Sequence, residues 1–311
     1  MNRISVIGSL NMDLVIQTER VPLAGETISG RDFNLIPGGK GANQAIAAAK
    51  AGSPTSMFGC VGDDEFGEVL LNSLKDAGVN TVNVSKTSKV RTGVASIILE
   101  SSGENRIIII SGANNLVDAA YVDSHWDEIK LSSLILLQHE IPLETCHYII
   151  EKAHASSIPV MLNPAPFHEI PTDVLTKVDY LVVNEVELQG IVPAQVSSIE
   201  DVIRAGKEIN QMGVKQVLIT LGGDGAVLVS NEEVIHQPAF TVNAVDTTAA
   251  GDTFVGYFAS AIINGFGLKQ ALVNSCGAAA LAVTKVGAQS SIPCNDDTQS
   301  FVQKYTTEGV R

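Results

Sequence analysis

Runs of consecutive apolar, largely β-branched residues recur along the chain at 4–7, 56–60, 134–137, 159–162, 180–183 and 216–220. A strand with one wet face alternates apolar and polar residues, so uninterrupted runs predict strands buried on both faces. Stretches with helical spacing of apolar positions lie between many of them, at 43–51, 65–77, 143–155 and 199–212. This alternation predicts βαβ units: a doubly wound α/β fold, its mostly parallel sheet flanked by helices. Residues 13–36 and 91–110 break the rhythm, reading as strands and turns with no helix between. Gly25 and Gly30 punctuate the first, and Ser101-Ser102-Gly103-Glu104-Asn105 reads as a hairpin loop in the second. Two pieces so far apart can pair in space as a small β-sheet lid over one end of the main sheet; the simpler alternative is two sets of edge strands. Residues 256–263 and 268–283 read as core helices, the second close-packed through Ala278, Ala279, Ala280 and Ala282. No repeat or linker divides the chain, so 1–311 reads as one domain with the lid inserted in it.

Composition sharpens this picture. Charged residues are 17% of the chain, below the usual quarter, as expected when much of it is buried. The net charge of −14 repels nucleic acid and anionic lipid at long range, which argues against both as partners. Cys60, Cys146, Cys276 and Cys294 are scattered, with no zinc-type spacing, and read as buried free thiols of a reducing compartment. The N-terminus enters a strand directly and no apolar run could span a bilayer, so a soluble cytoplasmic protein is expected.

The richest chemistry lies in Asp246-Thr247-Thr248-Ala249-Ala250-Gly251-Asp252-Thr253-Phe254. A helix start made of Ala and Gly leaves its first amides uncovered, and those amides with the helix dipole can hold an anion. Asp252 then sits in the first turn, where a carboxylate could orient and deprotonate a hydroxyl attacking phosphorus, or could merely cap the helix. In Pro37-Gly38-Gly39-Lys40-Gly41-Ala42-Asn43-Gln44 the glycines allow close backbone approach, Asn43 can pair with vicinal hydroxyls, and Lys40 suits a hydroxyl or a phosphate. It could equally be a plain Gly-rich turn opening a helix. No Gly-Lys-Ser or Gly-Lys-Thr occurs, which disfavours a P-loop kinase. Gly8-Ser9-Leu10-Asn11-Met12-Asp13 places Asn11 and Asp13 after the first strand, as polyol ligands or turn formers; it lacks Gly-x-Gly-x-x-Gly, which counts against a dinucleotide-binding dehydrogenase. Asn184 and Glu187 end a buried strand and could hold hydrated Mg²⁺ or phosphates, or form a helix cap. Thr220-Leu221-Gly222-Gly223-Asp224-Gly225 could pass under a nucleotide, and Glu140 could meet a sugar or a metal-bound water.

Together and in this order, these segments resemble the carbohydrate kinase family typified by ribokinase over about residues 4–293. The most specific parts are Gly38-Gly39-Lys40-Gly41-Ala42-Asn43-Gln44 and Asp246-Thr247-Thr248-Ala249-Ala250-Gly251-Asp252. Asn163-Pro164-Ala165-Pro166 and Gly287-Ala288-Gln289 support them. The resemblance implies ATP-dependent phosphorylation of the primary hydroxyl of D-ribose, a β lid, and a homodimer formed through the lids. It implies that Asn11, Asp13, Gly39, Lys40, Asn43 and Glu140 bind the sugar. Asp252 would be the base, and the amides of Ala250, Gly251 and Asp252 the anion hole. Asn184, Thr220, Gly222 and Gly225 would line the ATP site, with Cys276 where some relatives place His beside adenine. Asn184 and Glu187 would serve Mg²⁺ and phosphate. Asp246, Thr248, Ala282, Lys285, Gly287 and Ser291 would cage a monovalent cation, usually K⁺, mostly through carbonyls. Three positions depart from the family pattern: Ala249 replaces a frequent Gly, Val183 a frequent Pro, and Cys276 the His of some relatives. The alternatives are a kinase for deoxyribose, another sugar or a nucleoside, or a noncatalytic sugar- or nucleotide-binding regulator. Asn11, Asp13 and Asn43 favour ribose; Asp252, Lys40 and the small residues before Asp252 argue against the regulator.

Overall fold

The computed structural model describes residues 2–102, 104–193 and 196–308, so Gly103 of the expected hairpin loop lies outside the described residues. From the N-terminus, β1 (Ile4–Ile7) leads into β2 (Asn11–Thr18) and β3 (Asp32–Gly38). Helix α1 (Lys40–Lys50), β4 (Thr55–Gly62), α2 (Glu65–Asp76) and β5 (Val84–Thr87) follow. Then come β6 (Gly93–Glu100), β7 (Asn105–Ile110) and α3 (Ala119–Ile129). The alternation resumes with β8 (Leu134–Gln138), α4 (Leu143–Ala155), β9 (Val160–Asn163), α5 (Thr172–Leu175), β10 (Tyr180–Asn184), α6 (Glu185–Ile191), α7 (Ile199–Gln211) and β11 (Gln216–Thr220). The hairpin of β12 (Ala226–Ser230) and β13 (Val234–Gln237) precedes α8 (Ala250–Ile263), α9 (Leu268–Ala282) and α10 (Asn295–Glu308).

The main sheet has nine strands in the order β13-β12-β11-β10-β9-β8-β1-β4-β5. All neighbours pair in parallel except at β12 and β13. Apolar side chains leave its strands on both faces. In β8, Ile135 and Leu137 join one core cluster while Leu134 and Leu136 join the other, as the period of two requires. This double burial is why β8 reads as an unbroken apolar run.

Residues 13–36 and 91–110 pair with each other rather than extending the main sheet. They form a four-stranded sheet in the order β3-β2-β6-β7, with β2 and β6 parallel and both outer pairs antiparallel. Only Gly8, Ser9 and Leu10 separate β1 from β2, so the lid is rooted at the end of the central strand.

Several expectations need correction. Helix α1 begins at Lys40 rather than 43, and the apolar stretch from 256 is the interior of α8, which starts at Ala250 with Asp252 in its first turn, as its small-residue start implied. Both starts are built from small residues, which carry little apolar periodicity. Strands β5, β12 and β13 and helices α3 and α10 were not anticipated; β12 returns antiparallel beside β11 with no helix between, outside the βαβ rhythm. Cys294 is exposed, whereas Cys60, Cys146 and Cys276 are buried, and all four are free thiols. Among the described residues, no helix is long and apolar enough to cross a membrane.

Candidate active site

Chain direction across the main sheet reverses at β1: β4 lies on one side of it and β8 on the other. Loops leaving neighbouring strand ends diverge at such a reversal and open a crevice there. The carboxyl end of β1 supplies Ser9 and Asn11, and that of β8 supplies Gln138 and Glu140. Helices α1 and α8 close the crevice from one face. They approach very closely: a Cβ on Gly256 would lie 2.4 Å from Ala47 Cβ and 2.7 Å from the Gln44 carbonyl oxygen. This contact sets the first turn of α8 beside the first turn of α1.

Asp252 consequently meets α1 side chains rather than its own helix end. Its Oδ2 accepts from Asn43 Nδ2 at 2.9 Å and its Oδ1 from Gln44 Nε2 at 2.9 Å. The N-cap is Ala249, with no side-chain cap bond, which disposes of the capping alternative. The Ala250 amide reaches the Thr247 carbonyl at 3.3 Å, whereas among the described residues no backbone acceptor meets the amides of Gly251 and Asp252. Two donors of the expected three are therefore uncommitted, beside a buried carboxylate. Ala249 adopts φ 60, the left-handed region, where a Cβ is unfavourable. Ala249→Gly is expected to raise unfolding stability by about 0.5–1 kcal/mol, the left-handed cost less the extra chain entropy of Gly, as read from the urea midpoint.

On the lid side, Glu140 Oε2 accepts from the Ser9 hydroxyl, from the Lys40 amide at 3.0 Å and from Asn11 Nδ2 at 3.4 Å. Asn11 Oδ1 accepts from Asn114 Nδ2 at 2.7 Å, a buried partner that the sequence reading missed. Asn43 Oδ1 is buried with no donor among the described residues. A hydroxyl placed there would satisfy it.

Four carboxylates surround the Lys40 ammonium. Burial pushes Lys40 down, but the charges of Asp252, Glu140, Glu187 and Asp13 outweigh it and hold it above the ordinary lysine value. Burial raises Glu140 above the usual carboxylate range, against the Lys40 charge and the bonds from Ser9 and the Lys40 amide. Burial raises Glu187 likewise, opposed by its bond from the Asn184 amide. Asp13 is pushed up to about 7, chiefly by burial and then by Glu140 and Asp252, with Lys40 opposing.

Lys40, Asn184, Glu187, Thr220, Gly251 and Asp252 line one polar cavity of about 220 Å³. Asn184 and Glu187 also form a capping box: each backbone amide donates to the other's side chain, at 3.0 and 2.9 Å. Glu187 therefore caps α6 and still lines the cavity. Sharing the Thr220, Thr247 and Gly251 wall is a more apolar cavity of about 480 Å³, lined by Gly222, Gly225, Cys276, Phe240 and Phe254 among others. Its size is in the range of small-ligand sites.

Below α8, Asp246 ties two loops together. Its Oδ1 accepts from the Thr248 amide and hydroxyl at 2.9 and 2.6 Å, and its Oδ2 from the Gly287 amide at 2.9 Å. Burial pushes this carboxyl up, but those bonds outweigh it and hold it below the usual range. The Ala282 carbonyl accepts from the Lys285 amide at 3.1 Å, and Ser291 Oγ donates to the Ala288 carbonyl at 2.8 Å. Among the described residues, no group of three or more His, Cys, Asp or Glu side chains is arranged to hold a metal ion.

A family profile for pfkB family carbohydrate kinases matches residues 1–295. A ribokinase of Schizosaccharomyces pombe is 44% identical over 94% of this chain and 95% of its own length. A deoxyribokinase of Salmonella typhi is 38% identical over 96% and 98%. The structure of Arabidopsis thaliana ribokinase complexed with ribose and ATP superposes with a TM-score of 0.90 at 33% identity, covering 97% of this chain and 98% of that one. With its lid, its crevice at the β1 reversal and its helix-start carboxylate, this chain belongs to the pfkB family of carbohydrate kinases.

Proposed function

We propose that the chain transfers the terminal phosphoryl group of ATP to the primary hydroxyl of D-ribose, giving ribose 5-phosphate, as one kinase unit with a lid. The observation that carries this reading is Asp252 lining the polar cavity beside two uncommitted amides, with Gly251 on the wall that this cavity shares with the larger apolar one. The similarity to ribokinases supports the choice of sugar. In this reading Asp252 orients the attacking hydroxyl and takes its proton. The amides of Gly251 and Asp252, with the positive end of α8, stabilise charge on the phosphoryl group as it passes. Asn11, Asp13, Gly39, Asn43 and Glu140 hold the sugar, and Lys40 offsets charge between sugar and phosphate. Thr220, Gly222, Gly225 and Cys276 form the nucleotide wall.

The excess of carboxylates around Lys40 would repel ATP phosphates unless a divalent cation came with them. Asn184 and Glu187 fit hydrated Mg²⁺: Glu187 Oε2 is engaged by the Asn184 amide, which leaves Oε1 for an ordered water. Bound there, Mg²⁺ would neutralise phosphate charge. The carbonyl-rich loops joined by Asp246 suit a weakly hydrated monovalent cation such as K⁺, with Thr248, Ala282, Lys285, Gly287 and Ser291 as the other candidates. Such an ion would balance charge at the start of α8.

Asp13 predicts a pH dependence. An ionised Asp13 can accept from two sugar hydroxyls, and protonation removes part of that capacity. Because this carboxyl titrates near 7, KM for ribose should be low at pH 8 and about tenfold higher at pH 6, as a single titration gives. Asp13→Asn should flatten the profile. The same raised value weighs against folding: the folded state binds this proton more tightly than the unfolded chain. Its contribution to stability therefore falls as pH rises from about 4 to about 7, and changes no further above that.

A homodimer through the lid is part of the proposal. Strand register puts Phe33, Leu35, Ile108 and Ile110 on one lid face, and all four are exposed. An apolar face of that kind favours a partner surface. Ile108→Asp is expected to convert dimer to monomer in light scattering. Four free thiols support a cytoplasmic location.

The test is ADP release from ATP and Mg²⁺ with ribose, deoxyribose, fructose or adenosine, each in K⁺ or Na⁺. Preference for ribose with stimulation by K⁺ is expected. Preference for deoxyribose would mean that Asn11, Asp13 and Asn43 have been misread. No release with any acceptor, from protein that binds ATP, would favour a noncatalytic binder.

A further inference from the structure

Asp252 stands at the end of a chain of buried side-chain amides that begins at a backbone carbonyl. The Val182 carbonyl in β10 can only accept, and Asn163 Nδ2 donates to it at 2.9 Å. That bond settles the orientation of the Asn163 amide, so its Oδ1 is the acceptor facing Gln44. Gln44 Nε2 donates to this Oδ1 at 3.0 Å and to Asp252 Oδ1 at 2.9 Å. Behind it, Gln138 Nε2 donates to Gln44 Oε1 at 2.7 Å. Both hydrogens and the carbonyl of the Gln44 amide are thereby assigned.

These groups are expensive to bury. Gln44 and Gln138 are 0% exposed and Asn163 9%. Gln44 sits on α1 among Ala42, Ala45, Ile46 and Ala47, and Gln138 ends a strand that is otherwise Leu-Ile-Leu-Leu. Apolar residues would fill those positions without the risk of an unpaired amide. Gln138 in fact leaves its own Oε1 without a partner. What the chain accomplishes is at its end: one carboxylate oxygen is taken by Gln44, the other receives Asn43, and the carboxylate plane is fixed.

We infer that Gln44 is a positioning residue for the base Asp252, and that Asn163 and Gln138 act through Gln44 by forcing its NH₂ toward the carboxylate. The inference rests on the kinase reading above. It differs from that reading in what it requires: a donor at 44, held in one orientation from β8 and β9.

The experiment is steady-state kinetics with ribose and ATP for the unaltered protein, Gln44→Met, Gln44→Glu, Asn163→Leu and the double variant Gln44→Met/Asn163→Leu, each with a thermal melt. Misplacing a catalytic group typically costs about 100-fold, so Gln44→Met should lower kcat by about that factor with both KM values within about threefold. Gln44→Glu, matched in shape but lacking the donor, should fall at least as far. Asn163→Leu should lower kcat alone and lower it no further in the Gln44→Met background. An unchanged kcat in either Gln44 variant, losses appearing in KM, or an Asn163 effect that persists without Gln44 would each overturn the inference while the unaltered protein remains a ribose kinase. An unaltered protein inactive on every sugar would overturn the kinase reading, and this inference with it. Gln44→Glu keeps an acceptor for Gln138, so the question stays answerable if Gln44→Met fails to fold.

Discussion

Asp252→Asn is expected to reduce kcat by about 10²- to 10⁴-fold, the range for loss of a general base, with little change in nucleotide affinity or stability. The local bonds explain why the fold should survive. An Asn at 252 can keep its Oδ1 on Gln44 Nε2 and turn its NH₂ toward Asn43. The Asn43 amide would then face it donor to donor. Asn43 Oδ1 has no partner among the described residues, so that amide can flip and accept instead. The variant thus loses the base and keeps the network. The apolar nucleotide cavity does not include Asp252 among its lining residues, so ATP affinity measured by calorimetry should be nearly unchanged. Near-normal turnover would remove Asp252 from the mechanism.

Gly39→Ala should cost about 2–4 kcal/mol of stability, at the upper end of overpacking effects. Gly39 is the N-cap of α1 at φ +90, where side chains are strained. An added Cβ would lie 2.6 Å from the Asn11 amide nitrogen and 3.0 Å from Leu10 Cα and the Ser9 carbonyl oxygen. All three are backbone atoms, so no rotamer change relieves the clash; α1 must move away from the β1–β2 connection. That movement would break the Lys40 amide bond to Glu140 and shift Asn43 relative to Asp252. A lower urea midpoint together with loss of saturable ribose binding is the expected result. A midpoint within experimental error of the unaltered protein's would contradict the close packing described here.

Much of the architecture was readable because local pattern and burial agree where strands are covered on both faces. The predicted 143–155 helix and 4–7 strand coincide with α4 and β1. The apolar period of α8 begins only at 256, and its start was marked instead by the small residues before Asp252. Ala and Gly supply no apolar period, and what makes them useful there, uncovered amides, leaves no pattern of hydrophobicity. Gln138 and Asn114 carried no usable signal, and Asn163 only a motif that did not reveal its partner. Each lies at the edge of an apolar stretch, and its partner is decided by which strand ends meet.

By itself the sequence determined the α/β class, the alternation that builds the main sheet, and the segments that carry the chemistry, because these depend on neighbours along the chain. The tertiary structure alone decided that β2 pairs with β6 in parallel across the intervening chain and that Asp252 meets Asn43 and Gln44 instead of capping its helix. It also decided that burial and neighbouring charge bring Asp13 to about 7. Hydrogen bonds and charge interactions depend on distance and solvent access in the folded chain, and the approach of α8 to α1 at Gly256 sets both at the base.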